Sequence, residues 1–344
     1  MALHLVRYGL DVGVLARRPA VFRESFTAYL RRGIMTHMTM QQFYFPYTLI
    51  NFLLICLVMF SQPVCAEWQS FTLRNGHIVI DVEIAGHPAK AVLDGGSSGN
   101  MIRSDLVEQF GQDFKKTGKA RVSGVFGEQI LQVYGGIPLK LFGSNVTLND
   151  ATAGPNHGVE LLLGGGFFRN TIVQIDYPNS RLRRLDKKNV DMKKQANVPM
   201  KRVRGSRFPA IQVEHNGVET WLIFDTGNSG AIFVKHSFAT KSGWLNEQTK
   251  TRESMGIGIF ESNTILNFSI DAFKIGPYEL NNVSVNVPSQ DDVSDFGKYF
   301  IEPSGTRIKT GVKVEGLIGY DVLKHFVVTI DYMDYKVNLY APPP

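Results

Sequence analysis

Two aspartates, Asp94 and Asp225, stand in matching surroundings in the two halves of the chain. Each follows an apolar run, Ala91-Val92-Leu93 in one case and Leu222-Ile223-Phe224 in the other. Each then enters a turn of small and polar residues, Gly95-Gly96-Ser97-Ser98-Gly99 and Thr226-Gly227-Asn228-Ser229-Gly230. An apolar strand ending in an acid holds a carboxylate at a fixed point. Glycines beyond it let backbone N–H groups come close enough to bond it. Two such carboxylates brought within a few ångströms cannot both ionise cheaply, so they share a proton. The ionised member can then take a proton from water while the protonated member gives one to a carbonyl oxygen. That chemistry calls for no metal, no thiol and no cofactor.

The carboxylates can meet only if the chain is built twice, and the sequence carries a second, longer repeat. Residues 160–177, ELLLGGGFFRNTIVQIDY, align without a gap with residues 315–332, EGLIGYDVLKHFVVTIDY. Seven positions are identical, among them Gly164/Gly319 and the triplets Ile175-Asp176-Tyr177 and Ile330-Asp331-Tyr332. The repeated Asp176 and Asp331 read as turn or edge residues of terminal strands.

The remaining elements follow in one order in both halves. A strand pair comes first, over 77–84 and 89–93 with a turn near Gly86-His87-Pro88, and over 209–213 and 219–224 with Asn216-Gly217 as the turn. Asn-Gly between apolar runs is a strong hairpin signal. After the Asp turn comes a glycine-bearing hairpin, with Gly124, Val125, Phe126 and Gly127 at its tip in one half and Gly256, Ile257 and Gly258 in the other. A strand ending in Gly164 or Gly319, a short helix (167–171, 322–326) and the Ile-Asp-Tyr strand close each half. Short strands with frequent turns predict an all-β, bilobal molecule of two duplicated barrel-like lobes. The expected division is an upstream extension over 1–34, a signal peptide over 35–66, lobe one over 67–185, a basic linker over 186–206 and lobe two over 207–344.

Asp225-Thr226-Gly227, preceded by an apolar triplet and answered by Leu317-Ile318-Gly319, resembles the active-site motif of the pepsin/retropepsin-like aspartic peptidases. The resemblance covers most of 70–340 as two tandem halves and, with the style of the signal, implies a bacterial member. It implies an aspartic endopeptidase with Asp94 and Asp225 as the catalytic pair, and a peptide or protein segment, bound extended between the lobes, as substrate. Gly95, Gly96, Ser97, Thr226, Gly227 and Asn228 would support the pair, with Ser97 bonding the outer oxygen of its aspartate. The glycine-bearing hairpins would serve as flaps, closing over the substrate and excluding water. Thr226 would hydrogen-bond across to the other half. Lobe one departs from the pattern: Gly95 has no hydroxyl, so that crossing can be made from one side only.

Other readings compete. A degenerate relative would bind peptides in the cell envelope without cutting them, and Gly95 favours that. Lobe two alone, with its intact Asp-Thr-Gly, could pair with itself across a homodimer, whereas the presence of both lobes favours a monomer. Residues 95–99 also fit G-x-S-x-G, the turn that presents a nucleophilic serine. The second copy carries Asn228 where the first has Ser97, so the pattern belongs to the duplicated turn.

Composition narrows the rest. The net charge is +6, but residues 1–34 hold +4 and residues 181–207 hold +9, leaving −7 for the remainder. The lobes are therefore not basic, which argues against a nucleic-acid-binding face. The scattered histidines show no metal-binding spacing. Residues 48–60 form an apolar run of signal-peptide length, and Val64-Cys65-Ala66 places small residues at a cleavage site. The protein is thus expected to be exported, periplasmic or secreted, with an uncleaved signal anchor as the alternative. Both cysteines, Cys56 and Cys65, precede that site, so the exported part would carry no disulfide. The interval 286–312 has no counterpart in the first half.

Overall fold

The structure, a computed structural model, describes residues 67–110, 113–156, 158–169, 171–289 and 310–343. The expected extension and signal peptide, and residues 290–309 of the unmatched interval, lie outside the described residues.

Two ten-stranded sheets share one topology, strand for strand. In lobe one the hairpin His77–Ile84/His87–Leu93 lies at the centre. Leu161–Leu163 runs parallel to His87–Leu93, and Asn100–Arg103 pairs antiparallel with Leu161–Leu163. Ala151–Gly154 adds in parallel, and the long hairpin Lys115–Ser123/Glu128–Gly135 completes that side. Lobe two repeats this with Pro209–His215/Val218–Phe224, Gly316–Ile318, Ile232–Val234, Val283–Pro288 and the hairpin Arg252–Ile257/Ser262–Ile270. In each lobe the strand bearing the aspartate is thus flanked on both sides and buried at its end: Ala91, Leu93, Leu222, Ile223 and Phe224 are all sealed from solvent. Apolar residues run without alternation into Asp225 because both faces of that strand are covered.

The hairpin turns are local chemistry. Asn216 and Gly217 both have positive φ, 52° and 76°, the type I′ arrangement that matches strand twist. In lobe one the turn sits at Ala85-Gly86, φ 49° and 85°, earlier than expected. His87 and Pro88 belong to the strand. Pro88 is tolerated because the parallel neighbour begins only at Ala91, leaving its other edge open.

A third sheet joins the lobes. Ile172–Asp176 of lobe one pairs antiparallel with Val327–Asp331 of lobe two, Val173 facing Ile330 and Ile175 facing Val328. Arg181–Leu185 and Lys336–Tyr340 flank this central pair. The two Ile-Asp strands are therefore the middle of the inter-lobe sheet, not an edge. Their aspartates do cap turns: Asp176 accepts from the Asn179 N–H at 3.2 Å, and Asp331 accepts from Met333 and Asp334 N–H groups at 2.9 and 3.1 Å.

The basic stretch is more than a tether. Met192–Gln195 is a helical turn, and Met200–Arg202 pairs with Pro209–His215 as an edge strand of lobe two. Its charges find specific partners: Lys187 bridges Asp331 and Asp334 at 2.8 and 3.1 Å. Just upstream, Arg181 and Arg183 lie 4.4 and 4.3 Å from the Trp68 ring centre.

Candidate active site

Asp94 and Asp225 leave the ends of their strands at equivalent points. The Asp94 N–H donates to the Leu163 carbonyl at 2.9 Å, and the Asp225 N–H to the Ile318 carbonyl at 3.0 Å. Each carboxylate accepts from the glycine two residues on, Gly96 N–H at 2.9 Å and Gly227 N–H at 2.8 Å. The same strands then pass beneath the turns. Gly165 N–H donates to the Ser97 carbonyl at 2.7 Å, and Tyr320 N–H to the Asn228 carbonyl at 2.9 Å. Gly164 and Gly319 are glycine because any Cβ there would collide with these turns, at the backbone of Gly99 and of Asn228.

The two turns face each other. A Cβ on Gly96 would overlap the carboxyl of Asp225, and a Cβ on Gly227 would overlap that of Asp94. Neither glycine has positive φ, so it is the opposite acid, not the backbone, that requires them. Thr226, buried, crosses between lobes: its hydroxyl donates to the Leu93 carbonyl at 2.8 Å and accepts from the Gly95 N–H at 2.8 Å. His77 of lobe one contacts the Gly227 carbonyl through Nε2 at 3.0 Å.

Burial pushes both carboxyls upward, since each charge would be taken out of water. The Asp94 charge pushes Asp225 well above the carboxylate range, while a hydrogen bond from Asp225 and the N–H groups of Gly96 and Ser97 pull Asp94 back. Of the two, Asp225 is pushed further above the ordinary carboxylate value.

Ser97 is placed differently from expectation. Its hydroxyl donates to the Gly99 carbonyl at 2.9 Å, closing its own turn, and only its backbone N–H serves Asp94. Asn228 does the equivalent job in lobe two, accepting from Gly230 N–H at 3.1 Å. The chain after Ser97 enters the strand Asn100–Arg103, whereas a serine nucleophile turn leads into a helix.

The two hairpin tips meet each other. Gly124 N–H donates to the Gly127 carbonyl and Gly258 N–H to the Glu261 carbonyl, both at 2.9 Å. Side chains on Gly124 and Gly127 would run into Ile259 and Glu261 of the other hairpin. Phe126, 2% exposed, plunges from the lobe-one tip into lobe two, its ring 5.9 Å from Phe233 among Phe208, Ile223, Ile265 and Leu317. Val125 packs beside it. A Cβ on Gly256 or Gly258 would come within 3.1 or 3.2 Å of the Phe126 ring, so small residues there make room for it.

Residues 211–322 match the family model described as aspartyl protease. The match lies within the second lobe. The matched segment spans Asp225-Thr226-Gly227, the turn that faces Asp94, together with the lobe-two hairpin and Gly319. Among solved structures the chain is similar to basic 7S globulin from soybean, at 9% identity and a TM-score of 0.42, covering 80% of this chain and 95% of that one. It is also similar to a retropepsin-like aspartic protease from Rickettsia conorii, at 17% identity and a TM-score of 0.26, covering 41% of this chain and 91% of that one. No curated protein matches the chain.

Sequence reasoning missed the residues that reach the site from far along the chain: His77, Tyr177 and Tyr332. The tyrosines end the repeated Ile-Asp-Tyr triplets, a signal that was visible while their direction was not. Both are buried, and the nearby Asp225 charge adds to burial in pushing each hydroxyl above the usual tyrosine range. Among the described residues no group of three or more His, Cys, Asp or Glu could hold a metal ion, and no helix is long and apolar enough to cross a membrane.

Proposed function

We propose that the protein is an aspartic endopeptidase whose two lobes together activate one water. The observation that carries this is the mutual fit of the turns, each glycine lying under the opposite carboxyl. Asp94, ionised, takes a proton from water as its oxygen attacks the scissile carbonyl carbon. Asp225 gives its proton to the carbonyl oxygen, and a tetrahedral diol forms. Collapse breaks the C–N bond: Asp94 passes its proton to the leaving amine, and Asp225 recovers one from the diol. The pair ends as it began, with one shared proton.

The substrate is an extended peptide segment running beneath the two hairpins. Met255, Ile257 and Ile130 are exposed apolar residues on those hairpins, 62%, 84% and 64% accessible, available to grip side chains. Both turns of the pair come from one chain, which supports a working monomer. The apolar run over 48–60 and the small residues at 64–66 support an exported enzyme, and N-terminal sequencing of the mature protein tests that.

The experiment is cleavage of a peptide library by the purified protein across acidic to neutral pH, beside Asp94→Asn and Asp225→Asn. Cleavage by the parent and none by either variant is expected. Gly95 favours a second reading, a peptide-binding protein without turnover; binding of library peptides with no cleavage at any pH would select it.

A further inference from the structure

Gly95 is where lobe one departs from the Asp-Thr-Gly of lobe two, and the structure shows what fills the room it leaves. A Cβ built on Gly95 would overlap the hydroxyl of Tyr332. Its next neighbours would be Thr226 Oγ1 at 3.4 Å and Tyr332 Cζ at 3.5 Å, ordinary contacts. The hydroxyl of Tyr332 is thus the only close obstacle to a side chain at 95 among these neighbours. It sits where a side chain from residue 95 would begin.

Tyr332 comes from the end of the lobe-two strand Val327–Asp331, 237 residues away. It is 3% exposed, and its ring stacks on Phe168 of lobe one, centres 4.9 Å apart at 18°. That stacking fixes the ring, so the hydroxyl has little freedom. It donates to the Gly95 carbonyl over a long 3.4 Å. The Gly95 N–H is already held by Thr226. Both backbone polar groups of Gly95 are therefore bonded by lobe-two hydroxyls, and this residue is the link between Asp94 and Gly96. Its counterpart Tyr177 does not do the same for lobe two. Thr226 keeps its side chain there, and the Tyr177 ring instead lies 6.0 Å from Tyr320.

We propose that Tyr332 is a positioning residue for Asp94, its hydroxyl taking over from the side chain missing at residue 95, so that Gly95 and Tyr332 form an exchangeable pair. The role rests on the peptidase reading above. Lobe two thus clamps the Gly95 turn twice, by a threonine hydroxyl reaching across from residue 226 and by a tyrosine reaching back from the inter-lobe sheet. Glycine at 95 is then required by the tyrosine, and a hydroxyl-bearing side chain at 95 becomes acceptable only once the tyrosine hydroxyl is gone.

The test is a double-mutant cycle on the full protein with Gly95→Ser, Tyr332→Phe and both together, reading the melting midpoint and, on one cleaved peptide, kcat and KM. Tyr332→Phe should lower kcat roughly 10- to 100-fold with KM little changed, because positioning is lost and not substrate binding. Gly95→Ser alone should lower both the midpoint and kcat. In the Tyr332→Phe background the same Gly95→Ser change should instead raise both towards the parent. If Gly95→Ser lowers the midpoint equally in both backgrounds, the residues are not an exchangeable pair and the proposal fails, whatever the chain cleaves. Midpoints that recover while kcat does not would reduce Tyr332 to packing and also overturn it. A parent that cuts nothing overturns the peptidase reading and the positioning role with it, while the midpoints still judge the steric exchange.

Discussion

Gly227 lies directly beneath the carboxyl of Asp94, so close that a single methyl on its Cα would occupy the same space as the acid. The reverse holds for Gly96 and Asp225. The short distance between the acids is thus written into the glycines of the opposite lobe. Close approach of two buried carboxyls is costly unless one stays protonated, which is the state that water activation needs.

Gly227→Ala should therefore strike function before it strikes the fold. The added methyl must displace Asp94 or spread the lobes, at about 1–3 kcal/mol. Cleavage is expected to fall at least about 100-fold, because a shift near 1 Å is enough for that. Thermal melting beside peptide cleavage checks it; an active Gly227→Ala protein would show that the turns sit further apart.

Thr226 is expected to tolerate serine and not valine. Valine keeps the volume but leaves the buried Gly95 N–H and Leu93 carbonyl without their shared hydroxyl, costing about 1–3 kcal/mol. Thr226→Ser keeps both bonds. Chemical denaturation and kcat should both rank parent, serine, then valine; equal serine and valine variants would remove the crossing hydroxyl from the account.

Burial of the pair has a consequence for stability against pH. Both folded-state pKa values are raised above their ordinary carboxylate values, so the folded protein binds more protons than the unfolded chain. Stability from this pair is present at low pH and is lost as pH rises through the raised values. Asp225→Asn removes the carboxyl that folding keeps from ionising and keeps an acceptor for the Gly227 N–H. It should raise the melting midpoint at neutral pH by a few degrees, about the size of a 1 kcal/mol change. The gain should shrink as the solution is acidified towards the ordinary carboxylate range. A gain that grew on acidification would mean the acids are held ionised.

Phe126 anchors the lobe-one hairpin by burying its ring in lobe two. Phe126→Ala should release that tip. Amide exchange across Lys115–Ser123 and Glu128–Gly135 is expected to quicken while the central strands of both lobes keep their protection. Unchanged exchange there would place the hairpin anchor elsewhere.

Much of this architecture could be read in the sequence because its signals are local and occur twice. Asn216-Gly217 is a hairpin turn by its own chemistry, and the Asp turns and Gly164/Gly319 announce themselves by repetition. The lobe-one turn was misplaced because His87-Pro88 looks like turn chemistry, while Ala85-Gly86 carries the positive φ values. Residues 186–206 read as a charged tether because the partners of Lys187, Asp331 and Asp334, are far along the chain. The Tyr332–Gly95 contact was hidden for the same reason. The triplet Ile330-Asp331-Tyr332 was visible as a repeat, but nothing local shows that its tyrosine crosses to the other lobe. Ser97 was assigned by resemblance to bond its aspartate, yet the carbonyl of Gly99 is nearer in the chain and takes the hydroxyl.

The central claim is that one chain supplies both acids of one site. Complementation tests it most directly: peptide cleavage by Asp94→Asn alone, by Asp225→Asn alone, and by an equimolar mixture of the two. Each variant is expected to be inactive, and the mixture equally so, because every molecule lacks half of its own pair. Activity retained by Asp94→Asn, or regained on mixing, would mean that acids from different molecules meet, and would contradict the intramolecular site.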